Sequence, residues 1–217
     1  MKKIFCLIFL LFLAAGFRVF PNGNSWPVDT SNPKLWLVIC PEMTALTWSS
    51  NDLPANDPIY NQTVNFNQVI DSIANDFVNV PNSFIQIGNS ATDGTYNTTI
   101  AAQRSINICL GSTPGASGGY ATLRTESGRT VGCDIKMSAT RASKLKWFVS
   151  TLTHEIGHCL GFDHSQDTTH AIMSYFHDDE TNRLQIDDKM GLIYMYPENA
   201  NQAKESMTFG LSCSPRN

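Results

Sequence analysis

The stretch His154-Glu155-Ile156-Gly157-His158-Cys159-Leu160-Gly161-Phe162-Asp163-His164 sets three imidazoles and one carboxylate at a spacing that suits a single metal ion. Residues four apart on a helix share a face, so His154 and His158 can both reach one ion at metal–nitrogen distances of about 2.0–2.1 Å. Glu155, directly after the first imidazole, cannot be a ligand in that geometry. It can reach a water on the ion's open fourth position and take its proton as general base. Gly161 lacks Cβ and can adopt the positive φ of a helix C-terminus, and the turn this allows returns His164 to the ion as third ligand. The helix is legible apart from the motif. At about 100° per residue, Leu145, Phe148, Val149, Leu152, Ile156, Cys159 and Leu160 fall in one apolar stripe, while His154 and His158 point the other way.

The motif fixes five positions over eleven residues and resembles the signature of the metzincin clan of zinc endopeptidases, His-Glu-x-x-His-x-x-Gly-x-x-His followed by a methionine turn. Ala171-Ile172-Met173-Ser174-Tyr175 matches the second part. Ser165 and the run Asp187-Asp188-Lys189-Met190-Gly191-Leu192-Ile193-Tyr194 resemble matrixins. Tyr175 is similar instead to the tyrosine of astacins and serralysins, an additional zinc ligand there. The resemblance implies an α/β (α+β) metzincin-like fold: a five-stranded twisted mixed sheet, two long helices and a small C-terminal subdomain ending in a helix. It implies one catalytic Zn2+ on His154, His158 and His164, catalytic roles for Glu155 and Tyr175, and structural support from Met173 and Gly161. It also makes Tyr120, Ala121, Thr122 and Leu123 an antiparallel edge strand, the upper rim of a groove to which a peptide substrate can add as a further strand.

Residues 1–16 read as a secretory signal: Lys2 and Lys3, an apolar run from Ile4 to Leu13, then Ala14, Ala15 and Gly16. That run is too short for a permanent membrane anchor. The remainder is expected to be a secreted, extracellular or periplasmic, monomer of one domain, with residues 17–43 an irregular N-terminal segment and 44–217 the catalytic domain. The net charge of −4, without a basic cluster, argues against a nucleic-acid partner. In residues 17–40, Cys40 before Pro41, or Asp29, is a candidate blocking ligand of a short pro-segment; for Cys40 a disulfide is the plainer reading.

Five cysteines follow the signal: Cys40, Cys109, Cys133, Cys159 and Cys213. Their odd number in an exported chain predicts two pairs and one leftover. Cys159, in the apolar stripe, is the expected free thiol. With the fold that the resemblance implies, Cys109 and Cys133 lie on parallel neighbouring strands and are the expected pair, which leaves Cys40 with Cys213.

The rest alternates in an α/β manner. Residues 45–48 are a short strand candidate, and Phe66, Val69, Ile70, Ile73 and Phe77 recur at helical spacing ahead of Pro81. Residues 84–87, 106–110 and 120–123, and the alternating Val131, Cys133, Ile135 and Met137, read as strands, with a turn at Ser127-Gly128. The glycine-rich stretch 114–119 reads as flexible. A last helix starts with Asp187 as N-cap and stops before Pro197. Asp178-Asp179-Glu180 raises calcium as a second cofactor but lacks an ordered oxygen-ligand pattern and reads as solvated loop. All five histidines lie between residues 154 and 177, so the second, histidine-rich zinc site of many matrixins cannot be built. The expected activity is zinc-dependent peptide hydrolysis. A hydrolase of a non-protein amide, or a binding protein that keeps the metal site, is the alternative; an intact Glu155 argues against the binder, the edge strand for peptides.

Overall fold

The computed structural model describes residues 17–20, 26–48, 51–115, 117–165, 171–175 and 181–199. The chain runs β1 (Arg18–Val19), β2 (Lys34–Ile39), a 3-10 turn (Pro41–Met43), α1 (Phe66–Val78), β3 (Gln86–Asn89), α2 (Thr98–Ala101), β4 (Ser105–Leu110), β5 (Gly119–Glu126), β6 (Arg129–Met137), α3 (Ala139–Ala142), α4 (Leu145–Cys159), β7 (Phe162–Asp163) and α5 (Ile186–Met195). Five strands form one sheet in the order β3-β2-β4-β6-β5. The first four are parallel, and β5 is antiparallel at the edge. This is the mixed sheet with two long helices expected above. Among the described residues no helix is long and apolar enough to cross a membrane. The signal-like residues 1–16, Cys213, the acidic run 178–180, His170 and His177 lie outside the described residues.

Side chains alternate across a strand, and the register puts Leu35, Leu37, Ile87, Ile106, Ile108, Cys133, Ile135 and Met137 on one face of the sheet. All are buried, and α1 and α4 pack with them in one core. α1 starts where Asn65 and Gln68 cap each other reciprocally, side chain to backbone at 3.0 and 2.8 Å. The Trp48 ring lies 6.2 Å from Phe66 and 5.1 Å from Phe148, joining the two helices.

Several expectations need correction. The N-terminal segment expected to be irregular, 17–43, contains β2, which lies inside the sheet between β3 and β4. Its run Leu35-Trp36-Leu37-Val38-Ile39 hides the alternation because the second face is covered too: Trp36 is buried, 5.9 Å from the Tyr96 ring. Residues 45–48 form no strand; there Trp48 serves as a wedge, and its Nε1 donates to the Ala142 carbonyl. α5 is capped by Gln185, not Asp187.

The disulfides are Cys40–Cys109 and Cys133–Cys159. β4 and β6 are indeed parallel neighbours, but Cys133 stands opposite Ile106 and Cys109 opposite Lys136. The two cysteines therefore face opposite sides of the sheet. Cys133 looks toward α4 and bonds Cys159, so Cys159 is not a free thiol. Cys40 follows the register partner of Ile108 and so lies beside Cys109. Because Cys40 is bonded to Cys109, it is not a blocking ligand. Asp29 accepts from Ser31 and Asn32 within its own turn.

Candidate active site

α4 buries Leu145, Phe148, Val149, Leu152, Ile156 and Cys159 in the core and carries His154 and Glu155, only 8% and 6% exposed, toward a cleft. His154 Nδ1 lies 2.7 Å from the Ile172 carbonyl, and His158 Nδ1 lies 2.8 Å from the Phe162 carbonyl. A carbonyl only accepts, so each Nδ1 carries the proton and each Nε2 presents a lone pair. Both lone pairs meet His164 Nε2, at 3.1 Å from His154 and 3.2 Å from His158. His164 can donate to only one of them. Tetrahedral zinc with bonds of about 2.05 Å would set its nitrogens about 3.3 Å apart, so the spacing fits a zinc ion. Burial lowers the His158 pKa to about 4, against the pull of the Phe162 carbonyl, and it lowers that of His164 as well. Both shifts favour the neutral imidazole, the form a metal ligand needs.

The chain leaves α4 through Gly161 at φ 102°, a conformation that glycine takes without steric cost. A helix C-terminus exposes carbonyls that need donors. Trp26 Nε1 donates to the Cys159 carbonyl, the Tyr196 hydroxyl to Leu160, Phe20 N–H to Gly161 and His158 Nδ1–H to Phe162. β1 pairs with β7 directly before His164. His164 is thereby fixed by groups from both ends of the described chain.

The residues 171–175 pass beneath the histidines. A Cβ on Gly157 would run into the Met173 sulfur, so the methionine packs directly against the helix between His154 and His158. Asp188, buried at 2% exposure, accepts the N–H groups of Ile172 (2.9 Å), Met173 (3.1 Å) and Gln185 (2.8 Å). It holds the same Ile172 whose carbonyl orients His154. Ser165 N–H bonds the Met173 carbonyl, and Tyr175 N–H bonds the Ser165 carbonyl, tying this turn to the segment after His164.

Glu155 faces the edge strand. The Ala121 N–H bonds its carboxylate, yet burial pushes its pKa up to about 7. The cleft, about 480 Å³, is lined by Gly118 to Ala121, Leu123, Thr151, Glu155, the three histidines, Phe20 and Arg141, among others. Of the expected rim, Tyr120, Ala121 and Leu123 line it, and Thr122 does not. Tyr175 is 64% exposed, with its ring edge-on to His164 at 5.1 Å.

Several contributors were not read from the sequence. Gly118 and Gly119 are required for close approach rather than flexibility: a Cβ on Gly119 would stand 2.7 Å from Glu155 Oε1. Phe20 stacks on His158 at 6.0 Å. The carbonyls of Ile172 and Phe162 leave no residue-type signal at all. Asp188 stood in the matrixin-like run without a role, and its spacing of three from a possible cap at Gln185 was the available clue.

Comparison with known proteins agrees with this geometry. The Matrixin family model matches residues 48–197. Matrix metalloproteinase-B of Caenorhabditis elegans is 43% identical over 56 residues, 25% of this chain and 11% of that protein. The chain thus spans about a tenth of the length of this relative in the match.

Proposed function

Because the chain belongs to the matrixin family, we propose that it is a secreted zinc endopeptidase in which His154, His158 and His164 hold the metal and Glu155 is the general base. The observation that carries this is the convergence of three Nε2 atoms, at 3.1 and 3.2 Å, beside a buried carboxylate under a sheet edge. A zinc ion held by these three histidines would supply Lewis-acid chemistry, polarising the scissile carbonyl and acidifying a water. Glu155 takes the proton of that water and passes it to the leaving amine nitrogen. The free edge of β5 binds the peptide backbone as an added strand, which fixes the scissile bond against Glu155. The Tyr175 hydroxyl donates to the developing oxyanion, a role supported by its ring beside His164. Secretion is supported by Lys2, Lys3 and the apolar run of residues 4–13, and by two disulfides, which persist in oxidising compartments.

Incubation of the purified protein with a random peptide library tests the reading. Cleavage should stop when a chelator removes the metal and return with added zinc. Cleavage that persists in metal-free protein, or no cleavage of any peptide with zinc bound, overturns it.

A further inference from the structure

β6 ends at Met137, the register partner of Gly119, and the chain turns at once into α3. Ser138 caps this turn by accepting the Arg141 N–H. The Arg141 side chain then lies along Gly118, so closely that a Cβ there would stand 2.6 Å from its Cγ and 2.9 Å from its Nε. Its guanidinium carbon is 5.3 Å from the Trp147 ring centroid, and Lys144 Nζ is 4.0 Å from it. An aromatic face stabilises cations by its quadrupole. Among the described residues lining the cleft, Arg141 is the one Lys or Arg. Lys136, opposite Tyr120 in the ladder, alternates with the core-facing Ile135 and Met137 and lies along Gly111 on the other face of the sheet, so the basic corner consists of Arg141 and Lys144. This basic corner stands against a net charge of −4.

We propose that Arg141 determines specificity by selecting an acidic side chain on the C-terminal side of the scissile bond. The inference rests on the peptidase function proposed above. β5 starts at Gly119, beside Glu155, passes Ala121, whose N–H bonds the Glu155 carboxylate, and ends at Glu126. A peptide adding to its free edge gains most from antiparallel pairing. It then enters at the Glu126 end and leaves past Gly119 and Gly118. At roughly 3.4 Å per residue, the second or third residue after the cut bond reaches Arg141. A guanidinium has five N–H donors, and a carboxylate there can accept a charge-assisted hydrogen bond from it.

The test uses the full, zinc-loaded protein and peptides that differ only in Glu, Gln or Lys at each of three positions on either side of the cleaved bond. Cleavage rates are normalised to the Gln peptide. The wild type should prefer Glu over Gln about three- to tenfold at one downstream position, mostly through KM. Arg141→Gln should abolish the preference, Arg141→Lys should retain part of it, and Arg141→Glu should favour Lys. Zinc content near one per chain shows that each variant is folded. Absence of an acidic preference in the wild type, a preference upstream of the bond, or its survival in Arg141→Gln overturns the inference while leaving the peptidase reading intact. Failure of the wild type to cleave any peptide overturns both.

Discussion

Gly119 and Glu155 are packed so closely that a Cβ on the glycine would stand 2.7 Å from both Cγ and Oε1 of the carboxylate side chain. The first residue of the edge strand and the candidate base therefore hold each other in place. Gly119→Ala should push the carboxylate or the strand aside and lower kcat/KM by about 10²-fold, since a misplacement near 1 Å costs that much. Zinc content should stay at one per chain, because no ligand touches this contact. Steady-state kinetics with metal analysis checks this, and unchanged kinetics would show that the rim does not position Glu155.

Glu155 works as a base only when ionised. Burial pushes its pKa from 4.5 up to about 7, with the Ala121 N–H opposing, and a cation on the histidines favours the ionised form and draws the value back down. The acid limb of the kcat/KM profile should therefore fall between pH 4.5 and 7, with activity lost as pH drops through it. A limb above pH 7 would contradict a base beside a bound cation.

Asp188 accepts the buried N–H groups of Ile172 and Met173 and the half-buried N–H of Gln185. Asp188→Ala orphans them and should cost about 3 kcal/mol of stability. It should also weaken zinc binding, because the turn it holds carries the Ile172 carbonyl that orients His154. Chemical denaturation and competition with a chelator measure the two effects. A loss of stability with unchanged zinc affinity would detach the turn from the metal centre.

Tyr175→Phe removes one oxygen and keeps the ring that meets His164 edge-on. If the hydroxyl donates to the oxyanion, kcat falls by about 10²–10³ with little change in zinc affinity. Comparing two substrates that differ only after the scissile bond separates this from a wall role. An unchanged kcat on both rules out the catalytic role.

The metal motif was legible because it is local: one helix, one glycine turn and three imidazoles within eleven residues, with an apolar stripe that gives the helix its own signature. The edge strand was legible through the family resemblance that motif carries, and its hairpin turn has φ of 50° at Ser127 and 76° at Gly128, as a tight mirror-type turn requires. What depended on strand register was hidden. Cys109 and Cys133 sit on neighbouring strands yet on opposite faces, and only the pairing of Ile106 with Cys133 shows it. β2 escaped because both its faces are apolar, which removes the period of two. The close approach of Gly119 to Glu155 joins residues 36 positions apart, and the pairing of the Phe162 and Ile172 carbonyls with imidazoles is a backbone property that no residue type encodes.

The central claim divides the labour: three histidines hold zinc, and Glu155 moves the proton. Zinc content and kcat measured on one preparation of Glu155→Ala test it most directly. The account predicts about one zinc per chain, as in the wild type, with kcat lowered by at least about 10²-fold, the scale of a lost general base. Near-normal turnover with zinc bound would contradict it.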